Sequence, residues 1–327
     1  MTHHEDAHTA VNRLSRATSA LLTGHRRPDG DSLGSELALA ALARELGVTT
    51  MVINRDPAPP SLTDLPGADA VVVSPDLPTG FPDGFDLVVT LECPTIDRAG
   101  YDGLDRLAVL NIDHHPANSR FGEVNFVDED APAVGEMVWR MYEAAGVEPS
   151  TDAATNAFVA LSTDTGDFRY SNATGRAFRA AAEMVDAGAD PTEVARWIHG
   201  RKNAASVRLL GEALQTLRFE HDGKVAVIEV GHDAFDRSGA GPEDTEEIIN
   251  HPRAIHGVEA VAFLKQWEPG IIRVSLRSTG DVDVRRVASL FGGGGHSKAA
   301  GFTINGNLED ARQRILDALG EAVEAVK

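Results

Sequence analysis

Apolar runs and helical patterns alternate along the first half of the chain. Runs rich in Val, Ile and Leu predict strands at residues 21–25, 50–54, 70–74, 86–92 and 107–113. Between the first two runs, residues 35–46 have the spacing of a helix, and Gly47 is well placed to end it. Such alternation is typical of a mostly parallel sheet with helices on both faces. The pattern therefore predicts an α/β fold for this half.

The pattern turns helical from residue 131 onward, and strand signals return only after residue 222. Helices are predicted at residues 133–145, 152–161, 176–187, 191–199 and 204–217. Strands are predicted at 224–230, 259–266 and 271–277, followed by a final helix at 308–326. We therefore predict an N-terminal α/β domain over 1–190, a helical linker over 191–222 and a smaller C-terminal α/β domain with a mixed sheet over 223–327.

Charge and composition narrow the classes of protein to consider. The 327 residues include 50 Asp and Glu against 30 Lys and Arg, a formal net charge of −20. That balance disfavours a protein that holds long nucleic acid on a basic surface. The single cysteine, Cys93, excludes an intramolecular disulfide. The first residues lack a signal-peptide pattern and no apolar run reaches the ~20 residues of a membrane span, so we expect a cytoplasmic protein without a membrane segment.

The first candidate site is the segment G-H-R-R-P-D-G-D-S-L-G-S, which follows a predicted strand and opens a helix. Ligands of parallel α/β sheets bind at the carboxyl ends of strands, where His25, Asp29 and Asp31 would lie. Carboxylates bind hard divalent cations, and an added imidazole favours Mn²⁺, Fe²⁺ or Zn²⁺. The alternative is a plain turn with capping aspartates, since D-G-D is a common turn sequence.

Three further segments place polar groups after apolar runs. The motif N-I-D-H-H-P ends one strand, Glu92 closes another, and S-T-D-T-G-D-F-R-Y follows a helix, where Asp164 or Asp167 is a candidate ligand. Taken singly, these segments also fit a surface loop, a strand end open to solvent and a helix-end loop. Together the candidates are His25, Asp29, Asp31, Glu92, Asp113, His114 and Asp164. Carboxylates outnumber histidines, which suits two cations sharing a carboxylate, as in enzymes that hydrolyse phosphoesters.

The last candidate segment, F-G-G-G-G-H-S-K-A-A-G, contains four consecutive glycines. Glycines expose backbone N–H groups and admit a ligand closely, as in anion-binding loops. His296 and Lys298 add groups that suit a phosphate. A flexible linker is the alternative, which is weakened because the segment lies between a helical pattern at 284–291 and a strand-like one at 299–304.

These motifs resemble, in sequence order, those of the DHH phosphoesterases with a DHH-associated C-terminal domain. The segments that carry the resemblance are H-R-R-P-D-G-D-S-L-G-S, L-E-C-P-T-I-D-R, D-H-H-P, S-T-D-T-G-D-F-R-Y-S-N and G-G-G-G-H-S-K-A-A-G-F. The chain looks most like the compact NrnA-type members, which degrade very short RNAs and dephosphorylate 3′-phosphoadenosine 5′-phosphate. The resemblance extends over nearly the whole chain, from residue 10 to residue 325.

The resemblance implies ligands for two divalent cations, with Mn²⁺ expected and Mg²⁺ or Co²⁺ as the alternatives. One cation would be held by His25 and Asp29, and the other by Asp31, His114 and Asp164. Glu92 stands at the bridging position, where the family usually has Asp, and its extra methylene would lengthen the reach of the carboxylate. Asp113 would orient the histidine pair.

The resemblance also implies which residues meet the substrate. His115 would face the phosphate rather than a metal, and would act with Asp113 in catalysis. In the C-terminal domain the substrate would be bound by Arg277, Gly293, Gly294, Gly295 and His296. Arg169 and Ser171 are weaker candidates on the substrate side.

The resemblance implies hydrolysis of dinucleotides to roughly pentanucleotides, giving nucleoside 5′-monophosphates, and of 3′-phosphoadenosine 5′-phosphate, giving AMP. The alternatives are a phosphodiesterase for pGpG, pApA or cyclic di-AMP, and a non-catalytic nucleotide sensor. A RecJ-like exonuclease is disfavoured because the chain lacks the length and a broad basic stripe. An inorganic pyrophosphatase is disfavoured by the G-G-G-G-H segment. We expect a short RNA or dinucleotide as the partner, no long nucleic acid and no membrane, with a homodimer left open.

Overall fold

The computed structural model describes residues 3–200, 203–245 and 247–326, with side chains from residue 7 onward. The chain divides between residues 201 and 202 into two compact units. The segment predicted as a linker, 191–222, is therefore shared between them. Its first helix buries Val194 in the core of the first unit, and its second helix buries Leu209 and Ala213 in the second. Each helix has an apolar face that packs on its own unit.

The first unit is built on one parallel sheet. Its strands are β1 (Ser19–Thr23), β2 (Thr49–Asn54), β3 (Val72–Val73), β4 (Leu87–Leu91), β5 (Val109–Asp113) and β6 (Val124–Val127). They lie in the order β3-β2-β1-β4-β5-β6, and every neighbouring pair is parallel. The predicted parallel α/β fold is confirmed. β6 was not predicted because it is only four residues long and includes the polar Asn125.

Six helices accompany this sheet: α1 (His3–Leu14), α2 (Gly30–Glu45), α3 (Val134–Ala145), α4 (Thr151–Asp164), α5 (Gly175–Asp186) and α6 (Pro191–His199). All six contribute buried side chains to one hydrophobic cluster with the sheet. The other face packs on an irregular segment with short 3₁₀ helices, through Phe81, Tyr101 and Leu104. Both faces of the central strands are therefore buried, which explains their continuous apolar runs.

Helix α2 begins at Gly30 rather than at the predicted residue 35. Asp29 caps it, because its carboxylate accepts a hydrogen bond from the Ser32 backbone N–H at 3.0 Å. A side chain at Gly34 would overlap the carbonyl oxygen of Asn156 in α4, so glycine permits the close packing of these helices. The first turn of α2 is thereby brought against the end of α4.

The second unit has a mixed sheet. Its strands are β7 (Arg218–Glu220), β8 (Val225–Val230), β9 (Ala260–Glu268), β10 (Ile271–Ser278), β11 (Gly294–His296) and β12 (Ala299–Asn305), in the order β11-β12-β10-β9-β8-β7. Its helices are α7 (Ala204–Gln215), α8 (His232–Ser238), α9 (Asn250–Arg253), α10 (Val284–Leu290) and α11 (Leu308–Glu324). Strands β8 and β9 are parallel and the other neighbours antiparallel, which confirms the predicted mixed sheet. Among the described residues, no helix combines the length and apolarity needed to cross a bilayer.

Candidate metal centre and basic sheet face

Three neighbouring strands of the parallel sheet end at the same edge. β1 lies between β2 and β4, and β4 lies between β1 and β5. His25 follows β1, Glu92 follows β4, and Asp113 ends β5 directly before the two histidines. Because the strands are parallel and in register, their carboxyl ends bring these residues together. The first turn of α2 adds Asp31, and the last residue of α4 adds Asp164.

Glu92 is the most constrained residue of this cluster. It is 3% exposed and has a left-handed backbone, with φ of +59°, which is unusual outside glycine. Its Oε1 lies 3.2 Å from His114 Nε2 and has no hydrogen-bond partner among the described atoms. Burial raises the pKa of Glu92 well above its usual range, and the charges of Asp31 and Asp29 raise it further. A buried, unpartnered carboxylate oxygen among other acids is suited to bind a cation.

Asp31 is held by three hydrogen bonds. Its Oδ1 accepts from Ser35 Oγ and from the Gly135 N–H, both at 2.9 Å, and its Oδ2 accepts from the Val134 N–H at 2.7 Å. Both N–H groups belong to the first turn of α3, whose positive end therefore faces the carboxylate. Oδ1 already has two donors, whereas Oδ2 keeps one lone pair. Asp31 can thus bind a cation through Oδ2 alone.

The two ring nitrogens of His114 have separate tasks. Nδ1 lies 2.9 Å from the Ala131 carbonyl oxygen, which can only accept, so Nδ1 carries the proton. Nε2 is left as a ligand atom and lies 3.9 Å from Asp164 Oδ2. Ligand atoms of Asp31, His114 and Asp164 lie within 4.8 Å of one another. The structure therefore brings together the three residues expected to hold one cation.

His115 differs from its neighbour. Its Nδ1 lies 2.9 Å from Asp113 Oδ1, while the other oxygen of that buried carboxylate accepts from Asn118 at 2.6 Å. Nδ1 also lies 3.7 Å from Glu92 Oε2, and Glu92, His114 and His115 form a second group that could hold a cation. With its Nδ1 proton donated to Asp113, His115 keeps Nε2 free on a side chain that is 39% exposed. Asp113 therefore contacts only the second of the two histidines.

His25 and Asp29 form a separate pair. His25 Nε2 lies 3.5 Å from Asp29 Oδ2, and His25 Nδ1 lies 2.8 Å from the Arg26 carbonyl oxygen. Burial lowers the pKa of His25, but the hydrogen bond and charge of Asp29 outweigh it and raise the value. Asp29 is exposed, so this pair is more open than the group around Asp31.

Asp164 is positioned by a residue that the sequence analysis did not select. Asn172 donates to Asp164 Oδ2 and to the Pro132 carbonyl oxygen, both at 3.0 Å. Burial and the charge of Asp31 raise the pKa of Asp164 to about 6. Asn118, which was also not predicted, holds Asp113 through a hydrogen bond from its Nδ2. Asn172 ends the segment S-T-D-T-G-D-F-R-Y-S-N and Asn118 lies two residues beyond D-H-H-P, but the ligand that each asparagine holds depends on the path of its loop.

The weaker substrate candidates lie just before Asn172. Arg169 donates to the Gly166 carbonyl oxygen at 2.6 Å and to Asp167 Oδ2 at 3.0 Å, so its guanidinium is already engaged. Ser171 is exposed. Asp167, considered as an alternative ligand, accepts instead from Ser162 Oγ at 3.1 Å. These residues lie beside the metal centre without joining it.

The donor set fits hard divalent cations. Carboxylates dominate it, imidazole nitrogens supplement them, and the described residues near it include no second thiol beside buried Cys93. Burial raises the pKa of Asp31 and of Glu92, and the charge of Asp29 raises both further, so a bound cation would stabilise the charged carboxylates. Its chemistry suits Mn²⁺ or Mg²⁺ better than a structural zinc site.

The second unit carries a row of polar residues on one sheet face. Arg277 of β10 pairs with Ala299 of β12, which pairs with His296 of β11. Directly paired residues project from the same face, so Arg277 and His296 share a side of the sheet. That face also carries Arg273, which is exposed, and Ser275, whose Oγ accepts from a lysine Nζ at 2.8 Å. We call Arg273, Ser275, Arg277 and His296 the basic sheet face.

Arg277 has no ion pair with any acid in the described part of the second unit, and its Nη1 donates to the Leu276 carbonyl oxygen at 3.0 Å. Burial lowers the pKa of Arg277, and the positive charge of Arg253 lowers it further. Alternate residues of β10, including Val274 and Leu276, point into the apolar core on the opposite face. A half-buried guanidinium beside a second cation is suited to an anion.

The glycine segment forms a strand rather than an open loop. Gly294 to His296 pair with β12 in a hairpin. A side chain at Gly293 would overlap the Gly301 carbonyl oxygen, and Gly295 has φ of +138°, so packing and backbone conformation require these two glycines. Gly294 faces open space, and Lys298 donates to the Gly280 carbonyl oxygen. The glycine segment is therefore an edge strand that presents a flat, side-chain-poor surface next to His296.

Comparison with known proteins identifies two domains and several relatives. Residues 19–162 match the DHH family, N-terminal domain, and residues 222–325 match the DHHA1 domain. A Thermus thermophilus protein named "Bifunctional oligoribonuclease and PAP phosphatase NrnA" is 33% identical over 300 residues, covering 91% of this chain and 88% of that protein. A Bacillus subtilis protein of the same name is 26% identical, covering 90% and 92%.

Among solved structures, an exopolyphosphatase-related protein from Bacteroides fragilis has a TM-score of 0.84 at 24% identity. The match covers 96% of each chain. The likeness shows that the two proteins share a fold.

Proposed function

This chain belongs to the DHH phosphoesterases that carry a DHHA1 domain, and from that membership we propose a nucleotide substrate for it. It is a hydrolase of phosphoester bonds. We propose that it cleaves dinucleotides to roughly pentanucleotides of RNA to nucleoside 5′-monophosphates, and 3′-phosphoadenosine 5′-phosphate to AMP. The observation that carries the proposal is the buried, unpartnered Glu92 oxygen within reach of His114 and Asp31.

Two divalent cations, with Mn²⁺ as the expected metal, belong to this proposal. Asp31, His114 and Asp164 would hold one, His25 and Asp29 would hold the other, and Glu92 would contact both. When bound, such cations acidify a water molecule and offset charge on the phosphoryl group. Asp31 would contribute only Oδ2, since its other oxygen is saturated by hydrogen bonds.

The remaining steps fall to residues of the chain itself. Asp113 accepts a hydrogen bond from His115 Nδ1–H and so keeps Nε2 available at the exposed edge of that ring. Once Nε2 has also taken a proton from solvent, the His115 imidazolium would donate to a phosphoryl oxygen or pass that proton to the leaving oxygen. Arg277 and His296 would bind a phosphate of the substrate, because both lie on the basic sheet face and Arg277 has no acidic partner among the described residues of that unit.

The longer side chain at position 92 changes how far the carboxylate reaches into the metal centre. Glu92 reaches both histidines, with Oε1 near His114 and Oε2 near His115. An aspartate at the same backbone position would withdraw the carboxylate by one methylene. We propose that Glu92 sets the metal preference of this enzyme.

A rate comparison tests the proposed function. Purified protein with added Mn²⁺ would be given pApA, an RNA pentanucleotide, 3′-phosphoadenosine 5′-phosphate, cyclic di-AMP and pyrophosphate. We expect turnover of the first three, abolished by a chelator. Hydrolysis confined to cyclic di-AMP or to pApA would replace the proposal by a dinucleotide phosphodiesterase. Nucleotide binding without release under any divalent cation would identify a sensor. A cytoplasmic location remains a prediction, and whether the protein forms a homodimer remains open.

A further inference from the structure

One fully buried carboxyl in the first unit lies outside both groups of candidate ligands. Glu36, in the second turn of α2, has no exposed surface and forms no ion pair with a described residue. Its Oε2 accepts from Asn54 Nδ2 at 2.7 Å, and its Oε1 accepts from Ser32 Oγ at 3.1 Å. Burying such a group without a cation is costly, so an apolar residue would serve a merely structural helix better.

The Glu36 carboxyl joins three separate segments. Asn54 ends β2, and its Oδ1 accepts from the Gly24 N–H at 3.3 Å, just beyond β1. Ser32 belongs to the first turn of α2. A side chain at Gly24 would overlap both Ser32 Oγ and Glu36 Oε1, so the carboxyl lies directly against this backbone. Two strand ends and one helix start are thereby tied to a single side chain.

Two of the three tied segments lead directly to a candidate metal ligand. Gly24 is the residue before His25, and the Ser32 N–H donates to Asp29 Oδ1 at 3.0 Å. We propose that Glu36 is a positioning residue for the His25–Asp29 pair, which holds the two side chains 3.5 Å apart for a shared cation. The inference rests on the proposed function, because it assumes that the pair binds a metal ion.

The effect expected of Glu36 follows from how metal ligands are supported. Ligand geometry must be held within roughly half an ångström, and groups that orient ligands typically contribute 10–100-fold to metal affinity. Burial raises the pKa of Glu36 to about 7, against the bonds from Asn54 and Ser32, so the neutral carboxyl is well populated. Glutamine resembles that neutral form and can serve Ser32 and Asn54 at once.

The test compares metal binding with stability. Wild type, Glu36→Gln, Glu36→Met and Leu42→Ala would be titrated with Mn²⁺ by calorimetry without substrate, and their metal-free Tm measured. Met matches Glu in size but cannot accept the two hydrogen bonds. Leu42 is a fully buried residue of the same helix, away from the candidate ligands, and its truncation lowers stability by a cavity effect.

We expect Glu36→Met to lose about 10–100-fold in affinity at one of two Mn²⁺ sites, and kcat for pApA to fall with little change in KM. Glu36→Gln should bind Mn²⁺ like wild type, and Leu42→Ala should melt earlier yet bind normally. Should Glu36→Met not fold, Ser32→Ala removes one of the two hydrogen bonds and should weaken the same site. Its backbone N–H still caps with Asp29.

Three results would overturn the inference. Undiminished Mn²⁺ binding at both sites by Glu36→Met, or by Ser32→Ala if the former does not fold, would remove the positioning role. Equal losses in Glu36→Met, Glu36→Gln and Leu42→Ala, in proportion to Tm, would make the role structural. A wild-type protein that binds no Mn²⁺ would instead refute the metal-dependent function itself, and this inference with it.

Discussion

The two units handle charge in opposite ways. The first unit gathers acids, most of them buried, at one edge of a parallel sheet, and specific hydrogen bonds hold several of them, as α3 holds Asp31. The second spreads cations along one face of a largely antiparallel sheet, where Arg273 is exposed and Arg277 is half-buried. In the first unit, segments that are far apart in sequence meet at the metal centre. In the second, the basic sheet face is formed by every second residue of a strand, because side chains alternate between the two faces.

The difference follows from sheet geometry. Parallel strands end at a common edge, so residues far apart in sequence meet there and a small shift of any segment moves a ligand. Antiparallel pairing places side chains at regular intervals on a flat face, and a change at one position leaves its neighbours in place. The metal centre should therefore be sensitive to single substitutions, and the basic sheet face tolerant of them.

The largest effect is expected at Asp31. Asp31→Asn keeps the shape of the side chain but puts an NH₂ group in place of one carboxylate oxygen. That oxygen either accepts hydrogen bonds in the wild type or carries the lone pair left for the cation. We expect kcat/KM for pApA to fall on the order of 10³-fold, the upper range for losing one charge-stabilising group. Asp152→Asn, an exposed acid on α4, makes the same chemical change and should leave the rate unaltered. Near-normal turnover by Asp31→Asn would contradict the expectation that the metal centre is sensitive to single substitutions.

A pH effect on stability comes next. The ordinary pKa of Glu36 is 4.5 and burial raises it to about 7, so between those values the unfolded chain has released a proton that the folded chain still holds. The free energy of unfolding of the metal-free protein therefore falls as pH rises from 4.5 to 7, by up to about 3 kcal/mol from this group. Glu36→Gln should flatten that part of the pH profile, measured by urea unfolding. An unchanged slope would show that Glu36 does not titrate there.

His115 provides a test of the catalytic half of the contrast. His115→Ala should lower kcat about 10²-fold, the lower range for a general acid, with KM little changed. If the imidazole protonates the leaving oxygen, kcat should fall much less for a nucleotide p-nitrophenyl phosphate ester, because its leaving group needs no proton. His256→Ala, at an exposed position in the second unit, is the matched control. Equal losses with both substrates would assign His115 to phosphate binding alone.

The smallest effects are expected on the basic sheet face. Arg277→Ala should raise KM about tenfold for every substrate, since one charge-assisted hydrogen bond contributes ~1.5–3 kcal/mol. Arg273 lies four residues along β10, about 13 Å away at 3.3 Å per residue, so Arg273→Ala should raise KM a few-fold for the pentanucleotide and not for pApA. Arg286→Ala in α10 removes the same charge elsewhere on the unit. Uniform changes in all three variants would indicate a nonspecific charge effect.

Patterns within single segments predicted much of this molecule. Apolar runs located most strands, and the polar residue after each run located His25, Glu92 and His114, because the ends of parallel strands must meet. Residues that depend on long-range contacts were not predictable in this way. Nothing local indicates that Ala131 holds His114 or that the start of α3 faces Asp31. In addition, β6 is too short to stand out, and the glycine segment looked like a loop because glycine is depleted in strands.

The hydrogen bonds from α3 to Asp31 have a practical consequence. The amide protons of Val134 and Gly135 each point at one oxygen of a carboxylate that is expected to share its charge with a cation. Their NMR chemical shifts should therefore move when that carboxylate is engaged, with Val134 moving more because it shares Oδ2 with the ligand position. These two backbone signals would act as built-in reporters of occupancy, readable in a ¹⁵N-labelled sample titrated with diamagnetic Mg²⁺ and no substrate.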